Sequence, residues 1–344
     1  MARERPTRHH AETRDGWRIS LYHHPPRGGE RGLPIVLCHG MGSNRYNMDG
    51  PGRTSLARFL NGRGHDVWVL ELRGAGRSRR LLRVAAAPYR WTFEDYVQHD
   101  VPAALSLVRQ LSGCDQVLWV GHSLGGMVAY ATLMTPAGES IAGLVTLASP
   151  GMTDVGHEAL DRWLRMRTAL RLAPNRLPTR ALARLGAPLA RTISFTIPTL
   201  VRDWFWHPDN FDARVVRFMM CRGVEDLPRS LLYEFAEWYE TRSMSDRYNL
   251  FIFADHLERI RVPIFVIAGS RDRLTPPPDL ERLLARVGSD DKTFLLAGHA
   301  GGLDHEYSHV DLVLSHHAAD EIFPRVADWL EARMSKILEQ QDSV

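Results

Sequence analysis

The chain has 344 residues, a formal net charge of +3, and 44% hydrophobic against 24% charged residues. That length exceeds what one hydrophobic core usually fills, so one large domain carrying an insertion is expected. No run is long and apolar enough to span a bilayer, and the small charge, with no zinc-finger spacing, RNP-like motif or block of basic residues, argues against a nucleic-acid partner.

In chain order, the N-terminal Met-Ala-Arg-Glu-Arg-Pro-Thr-Arg-His-His has no apolar h-region, so no secretory signal is read there and the expected compartment is the cytoplasm. Trp17 to Tyr22, between Asp15-Gly16 and Pro25-Pro26, reads as an antiparallel edge strand or hairpin arm. Four continuous apolar runs follow: Pro34 to Cys38, Val67 to Leu72, Gln116 to Val120 and Ile141 to Leu147. Runs that do not alternate suit strands buried on both faces, and helical stretches at Thr54 to Asn61, Phe93 to Leu111 and Leu124 to Met134 separate them.

This rhythm predicts a doubly wound α/β fold around a mostly parallel sheet. It stops after Pro150-Gly151 and resumes at Pro263 to Ala268. Residues 1–150 and 256–344 therefore read as one α/β domain, and 151–255 as a helical cap inserted into it. A helix near Pro278 to Val287, a strand at Thr293 to Ala297 and a helix from about Ala318 to Leu338 complete the chain. Periodicity alone would equally allow a dinucleotide-binding fold, so the motifs must decide.

Gly121-His122-Ser123-Leu124-Gly125 stands directly after a buried strand and before a helix, the context of a nucleophile elbow with Ser123 as nucleophile. No Gly-x-Gly-x-x-Gly or Walker lysine accompanies it, which disfavours phosphate binding. A tetrahedral intermediate on Ser123 would need two backbone N–H donors. Leu124 supplies one by position, and Met41, in His39-Gly40-Met41-Gly42 after an earlier strand, is the choice for the other. His39 reads as a turn histidine.

The partners of such a serine follow it as acid, then histidine, each past a strand end. Asp272, in Gly269-Ser270-Arg271-Asp272 after Pro263 to Ala268, fits the acid; the bland alternative is a turn aspartate capping the next helix. Five histidines follow it: His299, His305, His309, His316 and His317. Spacing slightly favours His299, immediately after the last strand, over His309. Cys38, Cys114 and Cys221 are odd in number and lack CxxC spacing, so they read as reduced thiols. Neither a metal nor an organic cofactor is expected.

His309-Val310-Asp311-Leu312, with Ala318-Ala319-Asp320-Glu321-Ile322-Phe323-Pro324 and Asp328-Trp329-Leu330, resembles the C-terminal end of acid-lipase-like and polyhydroxyalkanoate-synthase-like α/β hydrolases. His39-Gly40-Met41-Gly42-Ser43, Asp66 to Gly74, Asp100-Val101-Pro102-Ala103 and Trp119 to Met127 extend the resemblance over most of the chain outside 151–255. It implies the α/β-hydrolase fold, with an eight-stranded type of sheet and a helical cap. It implies His309 as base, with His299 as the rival, and a serine esterase or lipase acting on an ester or lipid-like substrate. Polyester synthases of that superfamily carry cysteine at the elbow, so Ser123 points to hydrolysis or simple acyl transfer. A catalytically silent binding protein is the further alternative.

Between Arg162 and Arg202 lie nine arginines and no acidic residue, followed by Trp204-Phe205-Trp206. That surface could touch an anionic membrane or lipid aggregate; a solvated cap face is the blander reading. Pro174, Pro178, Pro188 and Pro198 break any long helix there.

Overall fold

A computed structural model describes residues 5–26, 32–80, 89–151, 168–190, 205–248 and 251–342. Its strands are β1 (Thr7–Glu12), β2 (Trp17–His24), β3 (Ile35–Cys38), β4 (Val67–Glu71), β5 (Arg79–Arg80), β6 (Val117–His122), β7 (Ile141–Leu147), β8 (Arg176–Leu177), β9 (Leu227–Pro228), β10 (Ile264–Gly269) and β11 (Lys292–Ala297). One sheet runs in the order β1-β2-β4-β3-β6-β7-β10-β11, with β5 beside β2; β8 and β9 form a separate ribbon. Strand β2 pairs antiparallel with β1, β4 and β5, and the remaining pairs of the large sheet are parallel.

The continuous apolar runs follow from burial on both faces, because successive side chains point to opposite sides of a strand. Val36, Trp68, Trp119 and Leu144 pack on one side with helices Val101–Ser112 and Leu124–Thr132. Ile35, Val69, Val120 and Val145 pack on the other with Leu56–Gly62 and Phe323–Asp342. The site-bearing loops lie at the carboxyl ends of these parallel strands.

One expectation is narrowed and two are corrected. Trp17 to Tyr22 is a hairpin arm but not an edge, since β2 extends to His24 and β1 covers it from Thr7 opposite His23 to Glu12 opposite Arg18. Strand β1 buries only Ala11, so its membership comes from backbone pairing that its Arg- and His-rich sequence does not advertise. The expected helix from Phe93 to Leu111 is a short α-turn, Phe93–Asp95, a π-turn, Tyr96–Asp100, and the helix Val101–Ser112. Pro102 has no N–H for the carbonyl four residues back, and the wider turn accommodates it. The C-terminal helix is likewise two pieces, Ala318–Glu321 and Phe323–Asp342, with Pro324 in the first turn of the second.

Between β7 and β10 the described chain forms helices Thr179–Gly186, Ala213–Phe218 and Arg229–Thr241. Pro178 precedes the first of these and Pro188 sits in the 3-10 turn that follows it. Pro198, Trp204, and Arg162, Arg165, Arg167, Arg191 and Arg202 of the arginine run lie outside the described residues. Among the described residues no helix is long and apolar enough to cross a membrane.

Candidate active site

Strand β6 ends at His122 and the next helix begins at Leu124, so Ser123 makes the turn alone, at φ 52° and ψ −118°. A side chain is strained there, and the Ser123 N–H bond to the Leu147 carbonyl, 2.9 Å, ties the turn to the end of β7. The flanking glycines are sterically required. A Cβ on Gly121 would come within 2.3 Å of Gly126 N, and one on Gly125 within 2.4 Å of the Cys38 carbonyl oxygen. The Trp119 indole N–H donates to the Gly125 carbonyl at 3.0 Å, holding the helix start against β6.

His309 meets this serine, with its Nε2 2.9 Å from Ser123 Oγ. On the other side of the ring, Nδ1 lies 2.9 Å from Asp272 Oδ2. A carboxylate can only accept, so Nδ1 carries the proton and the Nε2 lone pair faces the serine hydroxyl. Asp272 is buried; its Oδ1 accepts from the N–H groups of Leu274, 2.8 Å, and Thr275, 2.9 Å, and the Thr275 hydroxyl donates to Oδ2. The turn-capping reading of Asp272 therefore also holds: one oxygen caps the turn, and the other holds the imidazole.

His299 does not reach the serine. It is exposed, begins the turn His299–Gly301, and its Nδ1 faces the Leu303 carbonyl at 3.1 Å. Chain spacing favoured it because it follows β11 directly, but the chain turns away there and returns only at His309. His305 meets Glu321 and stacks on His317. His39 is a turn histidine as expected: buried, with Nδ1–H donating to the Gly40 carbonyl at 2.8 Å and Nε2 accepting from Leu72 N–H at 3.2 Å. Burial pushes its pKa down to about 4.

Gly40 presses on the elbow, since a Cβ there would come 2.9 Å from His122 Nδ1 and 3.3 Å from Ser123 Cβ. Met41 and Leu124 line one small recess beside it. Among the described residues neither of their N–H groups donates to another group of the chain. Two residues that sequence reasoning missed brace this loop. The Asn47 Oδ1 accepts from Gly40 N–H at 3.0 Å, and the His122 ring lies between two oxygens, its Nδ1 3.0 Å from the same Asn47 Oδ1 and its Nε2 3.0 Å from the His309 carbonyl. Burial drops the His122 pKa to about 3. Thr275 was also missed. No motif marks Asn47 or Thr275, whose roles come from contacts across the fold or within a turn.

A cavity of about 500 Å³ opens over Ser123 and His309, walled by Phe205, Trp206, Phe211, Val216, Met219 and Leu274. Cys38, Cys114 and Cys221 are free thiols. Asp15, Asp95 and His99 come close enough together to hold a metal. The Arg73 guanidinium occupies that corner, 2.7 Å from Asp15 and 3.8 Å from Asp95, and pairs with buried Asp100 at 2.7 Å. The cluster is thus an ion-pair network that docks the loop after β4 on the π-turn.

A family model described as the alpha/beta hydrolase fold matches residues 34–306. The chain belongs to that family. His309 lies just beyond the matched stretch. Lipase member K of Mus musculus is 32% identical over 138 residues, 37% of this chain and 34% of that protein. The poly(3-hydroxyalkanoate) polymerase subunit of Haloferax mediterranei is 24% identical over 314 residues, 88% of this chain and 59% of that protein. The chain thus spans about a third of the length of that lipase and under two thirds of the polymerase subunit. A thermophilic esterase from Thermogutta terrifontis superposes with a TM-score of 0.58 at 17% identity, covering 95% of this chain and 99% of that one. An enol-lactonase from Burkholderia xenovorans gives 0.59 at 17%, covering 94% and 100%. At such identity these structures share the fold.

Proposed function

We propose that this α/β hydrolase cleaves carboxylic esters of apolar acyl groups through an acyl-enzyme on Ser123. The observation that carries the reading is the relay of two 2.9 Å contacts from Ser123 through His309 to Asp272, opening into an apolar cavity. Ser123 Oγ attacks the ester carbonyl carbon while His309 Nε2 takes its proton, and Asp272 stabilises the resulting imidazolium. The N–H groups of Met41 and Leu124 receive the oxyanion. The imidazolium then gives its proton to the departing alkoxide. Water, deprotonated by His309, attacks the acyl carbon, and the acid leaves as Ser123 recovers its proton. No step calls for a metal or an organic cofactor.

Residues 151–255 act in this proposal as a cap, because the described part supplies Phe205, Trp206, Phe211, Val216 and Met219 to the cavity wall. The walls offer few polar groups, so binding favours apolar acyl chains. Purified protein is expected to hydrolyse p-nitrophenyl esters and to be labelled by a fluorophosphonate, and Ser123→Ala to abolish both. Equal activity in folded Ser123→Ala would overturn the mechanism. The match to a polyester polymerase subunit over 88% of the chain supports acyl transfer as a second reading. Product analysis with an added alcohol or an acyl thioester separates it from hydrolysis.

A further inference from the structure

We propose that Asp311 and Asn210 latch the apolar wall of the cavity to the loop carrying His309, and that this latch sets the selectivity for long acyl chains. The inference rests on the ester-hydrolase reading above and assigns two positioning residues to it.

Residues 205–211 give the cavity Phe205, Trp206 and Phe211. This stretch hangs from the base loop by five hydrogen bonds. The Asp311 carboxylate accepts from His207 N–H at 2.9 Å and from the Asn210 side-chain amide at 3.0 Å. The same amide donates to the Glu306 carbonyl at 2.6 Å. Val310 N–H donates to the Phe205 carbonyl at 2.8 Å, and His316 N–H to the Asn210 carbonyl at 3.3 Å.

Asp311 is fully buried and Asn210 nearly so, at 0% and 2% exposure. Among the described residues no Arg or Lys pairs with Asp311, burial pushes its pKa up to about 7, and the carboxyl is met by N–H donors alone: two from the wall and Ser308 N–H, 2.8 Å, from the base loop. A buried carboxylate held this way is sensitive to the loss of any one donor. The carboxylate is therefore a joint between two loops. His309 has independent supports, its ring on Asp272 and its carbonyl on His122. Loosening the wall side of the joint should change the cavity more than the base.

That separation is measurable. Asn210→Leu removes one of the two wall donors to Asp311, and the bond to the Glu306 carbonyl with it, with Asn210→Ser as the milder variant should the first fail to fold; Asp311→Asn weakens both sides. In each, kcat and KM are compared for p-nitrophenyl acetate and p-nitrophenyl decanoate. For Asn210→Leu, kcat/KM on decanoate is expected to fall about tenfold, through KM, roughly what losing a hydrogen bond to a charged group costs, with acetate changed less than about threefold. Decanoate binding to Ser123→Ala protein, followed by tryptophan fluorescence, should weaken by a similar factor when Asn210→Leu is added. Equal losses on both esters, or unchanged long-chain kinetics and decanoate affinity in folded Asn210 variants, would overturn the latch. If the wild type cleaves neither ester, the hydrolase reading fails, and decanoate binding still tests the joint.

Discussion

Replacing Asp272 by Asn changes one atom and leaves the side-chain volume nearly unchanged. The new amide can place its oxygen toward the N–H groups of Leu274 and Thr275, which now donate at 2.8 and 2.9 Å, and its NH2 toward His309. The opposite orientation would set an NH2 against those two buried donors, and leaving them unpaired costs about 1–3 kcal/mol each. The first orientation therefore prevails. It forces His309 to present a lone pair at Nδ1 and a proton at Nε2, aimed at Ser123 Oγ 2.9 Å away. An imidazole in that tautomer cannot accept the hydroxyl proton. A wrong tautomer in a Ser-His-Asp arrangement lowers kcat by about 10⁴-fold, equivalent to about 5.5 kcal/mol of barrier. The assay is kcat/KM on p-nitrophenyl butyrate, with the rate of fluorophosphonate labelling as a second readout and a melting curve as the folding control. Thr275→Val removes a single donor to the charged carboxylate and should cost only about tenfold. Asp272→Asn protein that melts normally and keeps more than about a tenth of wild-type activity would refute the role given to Asp272.

The two rival histidines separate cleanly: His309→Ala should lose at least about 10³-fold in kcat/KM, while His299→Ala stays within about twofold, and the reverse pattern would reassign the base. Gly125→Ala drives a Cβ to 2.4 Å from the Cys38 carbonyl, a backbone atom with little room to move, so a loss of about 1–3 kcal/mol in denaturant unfolding is expected, together with slower labelling of Ser123. Glu234 is buried, and its pKa is pushed up to about 8 from an ordinary value of 4.5. Folding therefore favours its neutral form, and this contribution to stability, complete below 4.5, is lost as pH rises through about 8. Glu234→Gln should flatten that decline, which thermal melts of variant and wild type between about pH 6 and pH 9 will show; parallel curves for the two proteins would dismiss it.

Much of the site was legible because its signals are local. Gly121, Ser123 and Gly125 are neighbours whose spacing already implies a strand meeting a helix, and Asp272 follows its strand within one turn. The buried strands were legible because both faces of the sheet are covered, which makes each run continuously apolar. The limits were equally physical. Strand β1 is defined by main-chain pairing with β2 and carries no apolar alternation, and Pro102 shifts one turn of a helix into a π-turn without changing its hydrophobic period.

What the amino-acid order determined by itself was therefore the alternation of strand and helix, the strand-to-helix turn at Ser123 and the position of Asp272 just past a strand end, all set by residues a few positions apart. Spacing along the chain slightly favoured His299 and the resemblance of His309-Val310-Asp311-Leu312 pointed to His309; the fold brings His309, 186 positions from Ser123, against its hydroxyl, a contact that spacing along the chain does not report. The tertiary structure also decided the parts of Asn47, 75 positions from His122, and of the Asp311–Asn210 joint, 101 positions apart. These polar side chains are ordinary in their own segments, and acquire their roles only because the packed sheet brings distant loops to one end, where their buried donors and acceptors must find each other.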